Sequence, residues 1–264
     1  MRIRMPLDVI NYSSLQVSTF IKSVEWLVEV DSTNTYVLQN LKSLGASPAL
    51  VGADLQTGGR GRGKNQWWGA EGSLTFTLLL QPNEFNIQVQ HWPLMSLMVG
   101  LAVREGLLKF LDHHQVSLKW PNDVYVDDKK ICGILIETTP AQREFVVIGI
   151  GLNINNSLQA APLGIQESAS SMLDLTGCLH SREEVLTSLL QSLEDVLVRI
   201  PAHLPQLLAE WRQHCFLTGK RISIDDSQHE VAGQCLGIDD DGGLVLQTES
   251  GQRKFLAGSV TVLE

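Results

Sequence analysis

Apolar and polar positions alternate along this chain with two periods, near two and near 3.6, and the changes between them mark out its elements. Val24-Glu25-Trp26-Leu27-Val28-Glu29-Val30 predicts a strand. Asp31 or Ser32 then caps a helix whose apolar face is Val37, Leu38, Leu41 and Leu44, with Gly45 as its stop. Residues 49–55 and 74–80 predict buried strands, and residues 92–111 a long helix opened by Pro93. A meander follows, with strands at 116–120, 124–126 and 131–137 and turns at Pro121-Asn122-Asp123 and Asp127-Asp128-Lys129. Residues 145–154 form another apolar strand, and 155–180 a loop with one short helix. Ser181-Arg182-Glu183-Glu184 is a capping-box pattern. It starts a helix with Val185, Leu186, Leu189, Leu193, Val196, Leu197 and Ile200 inward, and a shorter helix spans 204–214. From Leu217 the period is two again, with strands at 221–224, 243–247 and 260–263 and a turn at Asp239-Asp240-Asp241-Gly242. The pattern predicts an α/β (α+β) protein, with strands and helices over residues 1–216 and a small β-barrel over 217–264.

Composition narrows the classes. The chain has 264 residues, enough for one large core and a small appended unit. Its longest strongly apolar stretch, 94–103, is too short to span a bilayer, and the first residues lack the pattern of a secretory leader. Cys132, Cys178, Cys215 and Cys235 are widely spaced and form no C-x-x-C pair, so we expect reduced thiols, a cytoplasmic protein and no structural metal. Adjacent His113 and His114 read as surface residues. A net charge of −9 disfavours broad nucleic-acid binding.

Two segments carry candidate chemistry. Residues 58–63 read Gly-Gly-Arg-Gly-Arg-Gly. Glycines permit close backbone approach to a ligand, and two guanidinium groups suit phosphate or carboxylate oxygens. If the segment is extended, Arg60 and Arg62 point to the same side; a solvated basic turn is the plainer reading. Gly58 to Lys64 also fits the start of a phosphate-binding P-loop. Asn65 stands where a Ser or Thr should be, however, and Gln66-Trp67-Trp68-Gly69 does not open a helix, so that reading is rejected. In Lys119-Trp120-Pro121-Asn122-Asp123 a lysine ends a strand just before a turn. Alone it reads as an exposed strand end; with Arg60 and Arg62 it makes three cations available to one anionic site.

The order of five segments is specific. Ser32-Thr33-Asn34, Gln56 with Gly59-Arg60-Gly61-Arg62, Lys119 to Asp123, Cys132-Gly133-Ile134-Leu135-Ile136-Glu137, and Gly149-Ile150-Gly151-Leu152-Asn153 together resemble the biotin–protein ligases, over about residues 25–264. The resemblance implies a mixed sheet with helices packed on one side, followed by an SH3-like C-terminal barrel. It implies an enzyme that makes biotinyl-5′-AMP from biotin and Mg·ATP, then transfers biotin to a lysine of a biotin carboxyl carrier domain. It implies that Ser32, Thr33, Asn34 and Gln56 line the biotin head-group site, and that the backbone of Gly59, Arg60, Gly61 and Arg62 covers biotin and the acyl-phosphate link. Arg60, Arg62 and Lys119 would hold carboxylate and phosphates, Trp67 would pack near the adenine, Asn153 would sit near the phosphates, and Gly133 would let the backbone approach the ligand. On residues alone, Ser32 and Asn34 serve as helix caps, Trp67 and Trp68 as core aromatics, Asn153 as a turn residue and Gly133 as a bulge.

Two departures stand out. Asn65 lies where the family often has a basic residue before the loop tryptophan. Only about 30 residues precede Asp31, too few for the winged-helix domain of repressor-type members, so a ligase that does not bind DNA or membrane is expected, with a homodimer left open. Lipoate–protein ligase and non-catalytic biotin sensor are the alternatives; the Gly-Arg-Gly-Arg loop with Lys-Trp-Pro-Asn-Asp favours biotin.

Overall fold

The computed structural model describes residues 10–44, 47–111, 113–139, 142–226 and 229–263. A short helix α1 (Tyr12–Ser18) leads into a seven-stranded mixed sheet. Its strands are β1 (Ser23–Val30), β2 (Ala49–Gln56), β3 (Leu74–Leu80), β4 (Val116–Lys119), β5 (Asp123–Val126), β6 (Lys129–Thr139) and β7 (Gln142–Leu152), in the order β1-β2-β3-β7-β6-β5-β4. Only β1 and β2 run parallel; the other neighbours are antiparallel.

Alternation along β3 sorts the two faces. Leu74, Phe76, Leu78 and Leu80 enter the main core, under α3 (Met95–Leu107) and the long helix α6 (Arg182–Gln213). Leu79 joins Val37, Leu44, Ala49, Val51 and Val147 in a separate cluster beneath α2 (Thr33–Gln39), on the opposite face. The long helices thus share one side, as expected, while the short α2 occupies the other. The site lies on the α2 side.

Several local expectations shift. The helix expected from Trp92 is a 3-10 turn, Val89–Leu94, followed by α3. Pro93 has no N–H to give, and the tighter turn tolerates it. Gly45, the expected stop of α2, lies outside the described residues. In α6 the backbone leaves helical geometry at His203, between Pro201 and Pro205, so the two helices read from the sequence are two halves of one interrupted rod. Ser181 Oγ accepts from Glu184 N at 3.2 Å, making the N-terminal cap. Residues 155–180 hold two short helices where one was expected, α4 (Leu163–Ser168) and α5 (Met172–Thr176).

After α6 comes a five-stranded antiparallel sheet, the expected SH3-like β unit: β8 (Arg221–Asp225), β9 (Glu230–Ile238), β10 (Leu244–Thr248), β11 (Gly251–Phe255) and β12 (Ser259–Val262), in the order β11-β10-β9-β8-β12. The sequence pattern marked β8, β10 and β12 but not β9 or β11. β9 is broken by Gly233 and Gly237, and β11 is mostly exposed and polar, so neither carries a full apolar stripe. Trp120 Nε1 donates to Gly242 O at 3.0 Å and ties this sheet to the end of β4. No helix among the described residues is long and apolar enough to cross a membrane.

Candidate active site

The sheet face on the α2 side holds a cavity of about 760 Å³. Three strand glycines make room for it. Gly133 on β6 pairs with Gly151 on β7, and Gly149 pairs with Leu135 on one side and Thr77 on the other. Side chains from other elements fill the space. A Cβ at Gly149 would overlap the Asn34 amide, and one at Gly151 would stand 2.5 Å from the Trp67 ring.

One end of the cavity is neutral and tightly bonded. Ser32 caps α2, its Oγ 3.5 Å from Thr35 N, so Thr33 and Asn34 fall in the first helical turn and rest on the sheet. Gln56 Oε1, at the end of β2, accepts from Thr33 N at 2.8 Å and from Thr33 Oγ1 at 3.0 Å. The Thr77 hydroxyl lies 2.8 Å from Thr33 Oγ1 and 2.6 Å from Asn34 Oδ1. Asn34 Nδ2 donates to Leu135 O at 3.2 Å and to Glu137 Oε2 at 3.0 Å. Ser32, Thr33, Asn34 and Gln56 all line the cavity.

The other end is cationic. The glycine–arginine loop folds back as a small hairpin, with Gly61 N donating to Asn65 O and Trp67 N to Gly59 O, both at 2.9 Å. Arg60 meets Glu137 with two nitrogens, at 2.6 and 3.2 Å. Arg62 reaches Asn122 Oδ1 and Gly258 O, both at 3.4 Å. Both arginines line the cavity, from different walls. Lys119, at the end of β4, also lines the cavity and donates to Tyr125 Oη at 3.1 Å. Burial pushes the Lys119 pKa down; Asp123 opposes this, while Lys130 and Lys220 add to it. Burial also lowers Arg62, again opposed by Asp123. Such a cavity can seat a neutral polar group at one end and stabilise negative charge toward the other.

Residues 27–155 match the biotin/lipoate A/B protein ligase family, and residues 218–263 the biotin protein ligase C-terminal domain. A biotin--[acetyl-CoA-carboxylase] ligase of Mycobacterium tuberculosis is 30% identical over 269 residues, covering 99% of this chain and 98% of that protein. This chain belongs to the biotin protein ligases. The ligase superposes on the Aquifex aeolicus biotin protein ligase in complex with biotin and ATP with a TM-score of 0.80 and 30% identity, over 92% of this chain and all of that one. The bifunctional ligase/repressor BirA of Escherichia coli is 25% identical over 97% of this chain and 79% of its own length.

Most residues singled out in the ligase sequence converge on the cavity: Ser32, Thr33, Asn34, Gln56, Arg60, Gly61, Arg62, Trp67, Lys119 and Gly133 line it. Gly59 does not, but it holds the loop; a Cβ there would stand 2.5 Å from Trp67 O. Trp67 lies over Gly133 and Gly151, with its buried Nε1 unpartnered by protein. Asn153 lies outside the lining. Its Nδ2 donates to Ser170 O at 3.1 Å and its Oδ1 accepts from Asn156 at 3.0 Å, which spends the amide on the loop after β7.

Three contributors were missed. Lys130 lines the cavity, with Nζ 2.7 Å from Asp123 Oδ1 and 5.9 Å from the Trp67 ring centroid. The expected turn ends at Lys129 and the expected strand begins at Ile131, which leaves Lys130 unassigned between them; Asp127 and Asp128, both at positive φ, close the hairpin and put Lys130 on β6. Thr77 was read only as buried strand, although the Thr75/Thr77 alternation against Leu74, Phe76 and Leu78 signals a second, polar face. Glu137, quoted in its motif, was given no role. The C-terminal sheet contributes Asp225, Gly258 and Ser259 to the wall, and no local signal marks them.

Proposed function

We propose that this chain is an ATP-dependent biotin–protein ligase that forms biotinyl-5′-AMP and then passes biotin to a lysine of a biotin carboxyl carrier domain. The observation that carries this reading is the joining, in one cavity, of a neutral hydrogen-bonding end with four cations in the wall. Ser32, Thr33, Asn34 and Gln56 suit the uncharged ureido head of biotin. Arg60, Arg62, Lys119 and Lys130 suit the carboxylate and the phosphates of ATP, beside Trp67 for the adenine. A carboxylate oxygen attacks the α-phosphorus and pyrophosphate leaves. Two anions are brought together in that step, and fixed cations lower its barrier. In the second step an amine attacks the acyl carbon of the mixed anhydride, loses its proton and displaces AMP; no protein nucleophile is needed. Mg2+ would arrive with ATP, most of its ligands being phosphate oxygens and water.

Residues 1–216 would carry the catalytic unit and 217–264 the C-terminal unit that completes the wall. Asn153, with its amide engaged, would act on the phosphates only through the loop it braces. We place the reaction in the cytoplasm.

The test is the intact mass of a carrier domain incubated with biotin, Mg·ATP and this protein. One biotin on one lysine is expected, with biotin-dependent exchange of pyrophosphate into ATP. An unchanged mass, or a gain with lipoate in place of biotin, would overturn the reading.

A further inference from the structure

Lys119 stands at the end of a four-residue strand at the edge of the sheet, a poor place from which to aim a flexible ammonium. What steadies it comes from behind the cavity. Leu118 N donates to His214 O and Phe216 N to Leu118 O, each at 2.8 Å, so the segment leaving α6 adds a short parallel rung outside β4. That rung sets the Phe216 ring against Tyr125, with centroids 4.8 Å apart and planes 28° from parallel. Lys220 Nζ sits 3.3 Å from the Phe216 ring centroid, and its ammonium lies 3.6 Å from Asp128. Tyr125 is absent from the cavity lining, yet its hydroxyl oxygen accepts from Lys119 Nζ at 3.1 Å.

We propose that Tyr125, locked by the Phe216 ring, is the positioning residue for Lys119 in adenylate formation. The phenol takes one of the three N–H donors of the ammonium and leaves two for the reacting oxygens. A lysine stem otherwise has wide rotamer freedom, and fixing it before substrate arrives removes that ordering cost from the reaction step. The arrangement also makes the segment joining α6 to the C-terminal sheet part of the catalytic geometry. Asp123 on β5, Lys130 on β6 and Lys220 after α6 are the charged groups that act on Lys119, and Arg62 lines the same cavity. The phenol accepts from the charged amine and so favours it against burial.

This inference rests on the proposed reaction, and its test separates the two. Tyr125→Phe keeps the ring stack and removes the oxygen. We expect kcat for adenylate formation to fall about tenfold, the size of one hydrogen bond to a charged group, with biotin affinity unchanged. The alkaline limb of the kcat profile should move to lower pH, because the ammonium loses an acceptor. Phe216→Leu should give a smaller fall, and Phe216→Tyr should restore the parent rate. Independently of turnover, the pH dependence of Lys119 acylation by an amine reagent, read by mass spectrometry, should shift downward in Tyr125→Phe. Parent kcat and an unshifted labelling profile in Tyr125→Phe would overturn the proposal. A shifted labelling profile in a protein that makes no adenylate would leave the positioning intact and remove the proposed function.

Discussion

The two ends of the cavity are built on opposite plans. At the neutral end the groups bond to one another: Gln56, Thr33, Thr77 and Asn34 form a chain of hydrogen bonds between 2.6 and 3.2 Å that crosses from β2 to β6. At the cationic end Arg62 holds two contacts at 3.4 Å and Lys119 rests on one phenol. The first end is rigid before any ligand arrives, which suits recognition of an uncharged head group. The second pairs Arg60 and Lys130 with carboxylates but leaves the half-buried Lys119 and Arg62 with few partners, so an incoming anion relieves a desolvation cost already built into the fold. Recognition and catalysis therefore depend on different residues, and mutations should separate them.

The largest expected effect lies at the cationic end. Lys119→Ala should cut the rate of adenylate formation on the order of 10²-fold or more, as for other deleted donors that act on transition-state charge. Biotin affinity, measured by titration calorimetry, should fall far less than the rate. Pyrophosphate release at near-parent rates would remove Lys119 from the mechanism. The parent also carries a pH signature. Burial depresses the Lys119 pKa, and the reaction needs the cation. The rate should therefore fall as pH rises through a value below the ordinary lysine range. Lys119→Arg should carry that limb to higher pH, because a guanidinium stays charged. An alkaline limb that ignores this substitution would break the link.

At the neutral end the effect should be smaller and of the opposite kind. Thr77→Val removes the hydroxyl beside Asn34 Oδ1 and Thr33 Oγ1 in a fully buried position. Leaving a buried acceptor unpaired costs about 1–3 kcal/mol, so biotin affinity should weaken roughly tenfold. The rate at saturating biotin should hold. Gly149→Ala should act the same way, because the added methyl displaces the Asn34 amide. A loss of rate without a loss of affinity in either variant would mean that the ends are not independent.

How far these ends were readable from the sequence follows from the kind of contact each uses. Local signals placed the strands at 74–80 and 49–55, narrowed the cap of α2 to Asp31 or Ser32, and marked the motif residues that line the cavity. Contacts set by register were not readable. Thr77 meets Asn34 only because β3 and β7 align Thr77 with Gly149. Lys130 reaches Asp123 across a bulge between Val124 and Tyr125 that no pattern announces. Gly258 meets Arg62 across nearly two hundred residues of chain. Gly133 looked like a strand bulge or a ligand contact; its role here is shared with Gly151, since together they seat the Trp67 ring.

The smallest expected effect joins the two ends. Glu137 accepts from Asn34 on the neutral side and pairs with Arg60 on the cationic side. In the proposed reaction Arg60 must turn from Glu137 to the carboxylate or phosphate, and the hairpin of residues 58–66 must then cover a mixed anhydride that water can hydrolyse. The hairpin is already closed on itself by the amides of Gly61, Asn65 and Trp67. Partial hydrogen-exchange protection at these three is therefore expected without ligand, and a further rise with a non-hydrolysable adenylate analogue. Arg60 is well exposed, and an exposed ion pair contributes no more than about 1 kcal/mol, so the pair it would form with the ligand in exchange for Glu137 is weak and Arg60→Ala should speed adenylate escape by roughly fivefold at most. Gly59→Ser should act through geometry, because its side chain meets the Trp67 carbonyl and shifts the ring from the Gly133–Gly151 strip. The escape rate, read as biotinylation of bystander lysines, should rise in both variants while biotin affinity stays near the parent value. Equal loop protection with and without the analogue, together with unchanged escape in both variants, would make the hairpin a fixed wall and leave Glu137 a structural partner of Arg60.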